Sequence, residues 1–135
     1  MVRLKHRWIL FETLFENTSH QDTSIDPLTS HDIYITVKES IQLNFGDYGR
    51  GCTYSLNVKY YSPHTNIGLL RVSRDYYRMV WCALTFITQI NSRSCTIRVL
   101  HVGGKSTFKL FGWLVFNLIL IFKINSKVQL NNVKN

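Results

Sequence analysis

One stretch of this chain, from Ser55 to Leu84, constrains the fold more than any other part of the sequence. Alternating apolar and polar residues predict a half-buried strand at about 54–61, and a short turn containing a proline follows it. A second strand is predicted at about 67–73 and an apolar helix at about 74–90. A hairpin that leads directly into such a helix is half of a ferredoxin-like βαββαβ unit, so we expect that architecture.

The predicted second helix has a capping residue and an apolar face. Ser73 is a favoured N-cap residue, and Asp75 lies in the first turn, where the helix dipole favours an anion. The apolar face contains Tyr77, Val80, Trp81 and Leu84. The aromatic residues give this helix more apolar surface than one small sheet covers. Two explanations of these residues therefore stay open, packing in the core and contact with another protein. The candidate interface residues are Tyr76, Tyr77 and Trp81.

A basic strand is predicted at the amino end, over residues 2–14. Apolar residues occupy one side of this strand and basic residues the other. The apolar set is Val2, Leu4, Trp8 and Leu10, and the basic set is Arg3, Lys5 and Arg7. The polar residues that follow, 16–30, contain Pro27 and predict a loop.

The first helix is predicted from its cap and its periodicity. Thr29 or Ser30 can cap it, with Asp32 in the first turn. Apolar residues recur every four positions, which is typical of an amphipathic helix. They are Ile33, Val37, Ile41 and Phe45. Gly46 is predicted to end the helix.

Two further features complete the unit. Gly49 and Gly51 predict a turn that permits positive φ after the first helix. A last strand is predicted at about 95–102, before the pair Gly103-Gly104. The fold class is therefore α+β, an antiparallel sheet with two helices on one face.

Positive charge is concentrated in the second half of the chain. The whole sequence has a net charge of +8 over 135 residues. Residues 1–75 contain eight basic and eight acidic side chains, whereas residues 76–135 contain eight basic and no acidic ones. A basic segment without acids indicates a polyanionic partner, usually nucleic acid or a membrane surface.

The side chains themselves argue against several functional classes. Cys52, Cys82 and Cys95 form no Cys-x-x-Cys pair, which argues against a zinc site and a disulfide framework. The histidines are scattered, and the acidic residues are dispersed rather than clustered like the metal ligands of a nuclease. No signal peptide is recognisable at the amino end. We therefore predict no catalytic residue and no metal site in the protein.

Several short motifs stand in a fixed order along about residues 1–104. They are the basic first strand Met1–Glu12, the turn Phe45–Gly49, Val58-Lys59-Tyr60 with Pro63 and Thr65, Arg71 with Arg74, Trp81 with Ala83-Leu84, and Leu100–Gly104. Together these motifs resemble the POP-five family, the fifth "processing of precursor" protein subunits of ribonuclease P and ribonuclease MRP.

That resemblance implies a non-catalytic protein subunit of an RNA-based endoribonuclease. The implied activity of the complex is removal of the 5′ leader from precursor tRNA, together with ribosomal RNA processing. The catalytic RNA would carry the chemistry through bound Mg²⁺, and the protein itself would bind no cofactor. The implied partners are the catalytic RNA, a TIM-barrel protein subunit of the same complex and, indirectly, precursor tRNA. The implied location is the nucleus and nucleolus.

Basic residues are the candidates for RNA contact. The first-strand triad spans about 13–14 Å by strand rise, which matches roughly two phosphate intervals. Lys59 is expected on the opposite side from Val58 and Tyr60. The fold is expected to place the elements that carry Arg71, Arg74, Arg78 and Arg98 near one another. The full candidate set is Arg3, Lys5, Arg7, Lys59, Arg71, Arg74 and Arg98.

Other functional interpretations of the same topology stay open. An RNA-recognition motif would place aromatic residues on its third strand, but Ile67–Ser73 contains none. Shape and phosphate contact with folded RNA are therefore expected instead of base stacking. One alternative is a ferredoxin-like protein-interaction module without RNA. Another is a small basic nuclease in its own right.

Residues 105–135 depart from the family pattern. The apolar run Leu110–Phe122 is shorter than the roughly 20 residues that span a bilayer, so no membrane span is expected. From Lys123 the chain is rich in Asn and Lys and is predicted to be disordered. Because codons for Gly104-Lys105-Ser106 can contain a splice-donor sequence, one hypothesis is that this tail is intron read-through.

Overall fold

The computed structural model of the chain describes residues 5–16, 26–104 and 120–132. The chain divides into two compact units, Met1–Gly104 and Lys105–Asn135. The sheet and the helices that cover it lie in the first unit. The hypothesis that the second unit is a divergent tail produced by read-through stays a prediction.

The first unit has the predicted βαββαβ order with one small addition. Its elements are β1 (His6–Phe15), α1 (Ser30–Cys52), β2 (Asn57–Ser62), β3 (Ile67–Ser73), α2 (Tyr77–Phe86), β4 (Gln89–Ile90) and β5 (Arg93–Gly103). The antiparallel strands lie in the order β2-β3-β1-β5-β4. Without the two-residue β4 this is a ferredoxin-like sheet, so the predicted fold class is confirmed.

The hydrophobic core lies between one face of the sheet and the two helices. Ile9 and Phe11, on the central strand β1, are fully buried. Helix α1 contributes residues at the predicted spacing of four, which places them on one helical face. The core members from the helices are Ile33, Val37, Ile41, Val80, Ala83 and Leu84. The predicted apolar face of α1 is therefore confirmed.

The side chains of strand β1 alternate between the two faces of the sheet, as the sequence pattern predicts. Ile9 pairs with Leu70 on the helix-covered face, whereas Trp8 pairs with Arg71 on the far face, opposite the helices. Arg7 lies on the other side from Trp8, as expected. Side chains on both sides of β1 are buried near its middle, including Leu10 on the same side as Trp8. The predicted strand residues Val2, Arg3 and Leu4 lie outside the described residues.

A β-bulge in β2 overturns the predicted alternation there. The register against β3 shifts between Val58 and Tyr60, so that Lys59 is the extra residue. The expectation that Val58 and Tyr60 share one side was therefore wrong. Tyr61 takes the inward position, where its ring centroid lies 6.4 Å from that of Phe11 at an interplanar angle of 14°.

Gly46 interrupts α1 but does not end it. Its φ of 67° and ψ of −160° break the helical geometry, and a further helical segment follows the kink. Among the described glycines, Gly46 alone has a positive φ, so the predicted permissive turn at Gly49 and Gly51 was wrong. Gly49 is required for space instead. A Cβ there would collide with Cβ of Phe45 and lie 3.3 Å from Sδ of Met79.

Helix α2 is shorter than predicted at both ends. Ser73 makes no side-chain capping bond, and a 3-10 turn beginning at Arg74 precedes the helix. At the other end Ile87 is extended, with φ −71° and ψ 122°. Asn91 and Ser92 then take positive φ values of 48° and 66° in the tight turn between β4 and β5. The last strand consequently begins earlier than predicted.

The tail contains a helix where disorder was expected. Residues 120–132 are helical, so the prediction of disorder from Lys123 was wrong over that range. Most of its apolar side chains are exposed, among them Phe122 at 74% and Leu130 at 64%. Most of the apolar run Leu110–Phe122 lies outside the described residues. Within the three described ranges, no helix is long and apolar enough to cross a membrane.

The cap of α1 predicts a pH dependence of stability. Thr29 N–H donates to Oδ2 of Asp32 at 2.9 Å, and Asp32 N–H donates to Oγ1 of Thr29 at 3.2 Å. The bonds from Thr29 hold the pKa of Asp32 below its ordinary value. The carboxylate therefore stabilises the fold above about pH 4, and this contribution is lost as the pH falls through the lowered folded pKa.

We expect Asp32→Asn to remove this acid-dependent contribution. Urea unfolding at about pH 7 and about pH 3 should show a smaller pH effect in the variant than in the unaltered chain. Glu39→Gln, an exposed acid farther along α1, is the matched control. Equal pH effects in the two variants would contradict the capping role of Asp32.

Candidate nucleic-acid interface

Basic side chains lie around one end of the sheet, where β1 begins, β3 ends and α2 begins. The N–H of Arg74 donates to the carbonyl oxygen of Lys5 at 3.0 Å. Trp8 and Arg71 stand directly opposite each other in β1 and β3. We call this set the basic end, and it consists of Lys5, Arg7, Arg71, Arg74 and Arg78.

Arg71 lies on the far face of the sheet, against an aromatic ring. Its guanidinium carbon lies 5.9 Å from the ring centroid of Trp8. Its Nε is buried and makes no hydrogen bond within the part of the chain that the structure describes. A guanidinium that lies beside a ring keeps its other N–H groups available for phosphate oxygens or base edges.

Tyr77 brings two further arginines together at the start of α2. Nε of Arg78 donates to the Tyr77 hydroxyl at 3.4 Å, and its guanidinium carbon lies 5.9 Å from the ring centroid. The hydrogen bond from Arg78, followed by the charges of Arg78 and Arg7, lowers the pKa of Tyr77. Arg7 also contacts Gly104, since a Cβ on that glycine would collide with the guanidinium. Arg7 and Arg78 therefore face the same small region.

The basic end contains five basic residues and, in its 3-10 turn, one acidic residue. Asp75 is the acid of the intervening 3-10 turn, and it is exposed. Lys5, Arg74 and Arg78 are exposed, whereas Arg7 and Arg71 are half-buried. Lys5 lies just before β1, and the other four cations belong to β1, β3, the 3-10 turn and α2. Together they produce a positive potential around this end of the sheet, which attracts a phosphate backbone.

The structure separates two predicted RNA-binding residues from this group. Lys59 is exposed at the bulge of the edge strand β2. Arg98 donates through Nη2 to Oε2 of Glu12 at 2.7 Å, on the far face of the sheet. Lys5, Arg7 and Arg74 are thus brought to one end of the sheet, with Arg71 near that end on the far face, whereas Lys59 lies on the edge strand and Arg98 is paired with Glu12. Arg3 lies outside the described residues.

One basic residue absent from the candidate set also meets an aromatic ring. The guanidinium carbon of Arg93 lies 4.8 Å from the ring centroid of Phe15. The two residues are far apart in the sequence and meet because β1 and β5 are paired. The distance between the two residues in the sequence therefore does not indicate that they are in contact. Only the register between β1 and β5 would have predicted the pair.

The ion pair between Glu12 and Arg98 leads to a prediction about stability. The Glu12 side chain is 11% exposed and that of Arg98 is 62% exposed. Arg98→Ala leaves a buried carboxylate without this partner, so we expect it to lower the free energy of unfolding by about 1–2 kcal/mol. Arg74→Ala, at an exposed position, should change it by less than about 0.5 kcal/mol.

Chemical denaturation of the two variants measures this difference. Adding Glu12→Gln to Arg98→Ala should recover part of the lost stability, because the buried charge is then gone. Equal stabilities of Arg98→Ala and Arg74→Ala would show that the ion pair contributes nothing measurable.

The candidate interface residues lie just before α2 and along it, in different environments. Tyr76 and Tyr77 are half-buried, whereas Trp81 is 42% exposed and therefore is not a core residue. A hydrogen bond with the Cys52 thiol raises the pKa of Tyr76. Phe86, at the end of the helix, is 56% exposed. An exposed tryptophan and phenylalanine on one helix are typical of a protein-binding surface.

Two of the described carboxylates have structural roles. Glu12 is paired with Arg98, and Asp32 caps α1. Within residues 5–16, 26–104 and 120–132, no group of three or more His, Cys, Asp or Glu side chains is placed to hold a metal ion.

Comparison with known proteins gives consistent matches. The sequence model of the Rpp14/Pop5 family matches residues 7–108. The chain is 39% identical over 113 residues to "Ribonuclease P/MRP protein subunit POP5" of Schizosaccharomyces pombe, covering 77% of this chain and 79% of that protein. It is 33% identical over 109 residues to the Homo sapiens protein of the same name, covering 77% of this chain. That alignment spans 64% of the human protein, less than two thirds of its length.

A solved structure shares the fold. The chain is similar to one in the "Cryo-EM structure of yeast Ribonuclease MRP", with a TM-score of 0.59 over 78% of each chain. The sequence identity in that comparison is 7%, so the likeness supports the architecture.

Proposed function

We propose a function from one premise: the chain belongs to the Rpp14/Pop5 family. It acts as a protein subunit of the ribonuclease P and ribonuclease MRP ribonucleoproteins. In that role it supports the catalytic RNA in removing the 5′ leader from precursor tRNA and in processing ribosomal RNA. The family match carries this assignment, and the basic end supplies the physical means.

The basic end supports the RNA by neutralising phosphate charge. RNA strands that come close together in a folded RNA repel one another, and each phosphate that meets Lys or Arg releases its counterions. The planar side chains of Arg71 and Arg78, both set against aromatic rings, suit bidentate contact with phosphate oxygens. Contacts of this kind fix orientation and shape without reading sequence.

The protein contributes no catalytic group in this proposal. The catalytic RNA carries the chemistry through its own Mg²⁺ ions, and the protein binds no cofactor. The structural roles of Glu12 and Asp32 support this division, since neither carboxylate is grouped with others as a nuclease requires. The proposed location is the nucleus and nucleolus.

The remaining partners are proteins of the same complex. We place a TIM-barrel subunit against α2, through Tyr76, Tyr77 and Trp81. The exposure of Trp81 supports this placement, because exposed aromatic side chains often anchor interfaces. Precursor tRNA is contacted indirectly, through the RNA.

Purification of the tagged full chain from its native cells tests the proposal. The co-purified RNA is sequenced, and the eluate is assayed on precursor tRNA. We expect one structured RNA to be enriched and the 5′ leader to be removed. Protein partners without that RNA, bound equally well at high salt, would favour a protein-interaction module instead. Cleavage by the RNA-free protein with Mg²⁺ would favour a nuclease.

A further inference from the structure

A cavity of about 430 Å³ lies at the end of the sheet remote from the basic end. It is formed where β1 ends, β2 turns into β3, and β5 begins. Its volume falls in the roughly 300–1,000 Å³ range of small-ligand pockets. The lining residues that matter here are Phe15, Tyr61, Pro63, His64, Asn66 and Arg93.

Arg93 and Phe15 form one flat wall of this cavity. The guanidinium carbon lies 4.8 Å from the centroid of the phenyl ring, within the range of a cation–π contact. Nε of Arg93 is buried and has no hydrogen-bond partner among the residues that the structure describes. A buried, unpartnered donor beside a cavity is costly unless a ligand or water completes it.

Tyr61 and Asn66 form a second wall, and strand β1 fixes both of them. The hydroxyl oxygens of Tyr61 and Thr13 lie 3.0 Å apart, and the Tyr61 hydroxyl donates to Oδ1 of Asn66 at 3.4 Å. The N–H of Thr13 donates to the carbonyl oxygen of Asn66 at 2.8 Å. Burial raises the pKa of Tyr61, with opposing effects from the bond to Thr13 and the charge of Arg93. These side chains are therefore ordered before any ligand arrives.

The surroundings argue against a site for phosphate alone. Arg93 is the cation of the lining, but Glu16 follows Phe15 in the chain, and Asp26 precedes the lining residue Pro27. These acids weaken the positive field around the cavity. Flat apolar faces combined with Asn, His and Arg donors suit a planar heteroaromatic group with hydrogen-bonding edges.

We propose that this cavity receives an unpaired nucleobase of the RNA that the protein binds. The inference rests on the proposed function and adds a second RNA contact of different chemistry. The base stacks on the plane of Arg93 or on the prolyl and phenyl faces, and Asn66 or His64 meets its edge. Unstacked RNA bases are commonly recognised in this way, by stacking and by edge hydrogen bonds.

The geometry lets one RNA reach both sites. Strand β1 has ten residues, so at about 3.3 Å per residue its ends lie about 30 Å apart. Phosphates can therefore sit at the basic end while one extruded nucleotide enters the cavity. This differs from an RNA-recognition motif, which stacks bases on the open surface of its central strands.

Nuclear magnetic resonance titration of the full chain tests the base site by itself. The probes are the four nucleoside 5′-monophosphates at millimolar concentration, with ribose 5-phosphate as the control that lacks a base. We expect at least one nucleotide to shift the Arg93 Nε–H and Tyr61 ring signals, with ribose 5-phosphate having no effect there. No shift with any nucleotide, or an equal shift with ribose 5-phosphate, would overturn the proposal.

Two variants separate this site from the basic end. Arg93→Lys keeps the charge and loses the plane, and His64→Ala changes an exposed lining residue. Each should weaken binding of an RNA with one unpaired nucleotide, by about ten-fold for Arg93→Lys, the size of one stacking contact. Binding of a fully paired RNA of equal length should stay unchanged. Equal losses on both RNAs would overturn the base site.

Failure of the proposed function and failure of the base site give different results. If the unaltered chain binds neither RNA, the RNA-subunit assignment fails, whatever the nucleotide titration shows. If it binds both RNAs equally and no nucleotide shifts the cavity signals, only the base site fails. A proline-rich peptide that shifts those signals when nucleotides do not would likewise overturn the base site in favour of a peptide pocket.

Discussion

Replacing Lys5, Arg74 and Arg78 together by alanine is expected to lower the affinity for the structured RNA by about 100-fold at roughly 0.1 M salt. All three side chains are exposed, so their removal leaves the core intact. Each phosphate contact contributes about 0.7–0.9 to the slope of log affinity against log salt concentration. If each cation meets one phosphate, the slope should fall by about 2–3 units.

Binding isotherms measured over a series of salt concentrations provide both quantities. The matched control replaces three cations that are not members of the basic end, Arg50, Lys123 and Lys127, and makes the same change in net charge. We expect the control to change the slope by less than one unit. An equal loss in the two variants would mean that net charge, rather than the basic end, attracts the RNA.

Gly68→Ala is expected to be among the most destabilising single substitutions in the sheet. Gly68 pairs with Phe11 across β3 and β1. A Cβ on Gly68 would lie 2.8 Å and 2.9 Å from Cε1 and Cε2 of Phe11, and closer still to Cζ. Phe11 is fully buried and stacked near Tyr61, so its ring has little room to move. Overpacking of this kind costs about 3 kcal/mol.

Thermal and urea unfolding of Gly68→Ala measure this cost, and Gly51→Ala is the control. A Cβ at Gly51 meets nothing within 4 Å, and that residue lies in helix α1. Gly51→Ala should therefore raise stability by about 0.5–1 kcal/mol. Adding Phe11→Leu to Gly68→Ala should recover part of the loss. A neutral Gly68→Ala would contradict the close approach of the two strands.

The elements that local sequence specifies were predicted well. The spacing of Ile33, Val37 and Ile41 determines the buried face of α1, and the cap at Thr29 determines where the helix begins. Strand β3 has its predicted bounds because a turn precedes it and a helix-initiating segment follows it. These signals act within a few residues, so the sequence alone reveals them.

The features that depend on strand pairing were missed. The bulge at Lys59 changes which tyrosine faces the core, and it follows from the register against β3 rather than from local pattern. Helix α2 ends early because residues 89–90 pair with β5. Trp81 was predicted on the apolar face, but it lies at the margin, where neither the sheet nor α1 covers it fully.

The candidate site likewise contains contacts that follow from the predicted fold and contacts that depend on strand register. The βαββαβ topology brings the start of β1 to the end of β3, so the meeting of Lys5 with Arg74 follows from the fold class. The pairing of Arg98 with Glu12 needs the register between β1 and β5, which the sequence does not display. The contact between Arg93 and Phe15 needs the same register.

Ultraviolet crosslinking of the purified ribonucleoprotein, followed by mass spectrometry of the RNA-linked peptides, tests whether the basic end contacts the RNA. We predict crosslinks from the structured RNA to peptides that contain Lys5 and Arg7, and to the peptide around Arg71–Arg78. Crosslinks confined to the outer surface of α1, or an RNA that co-purifies without any crosslink to the basic end, would contradict it.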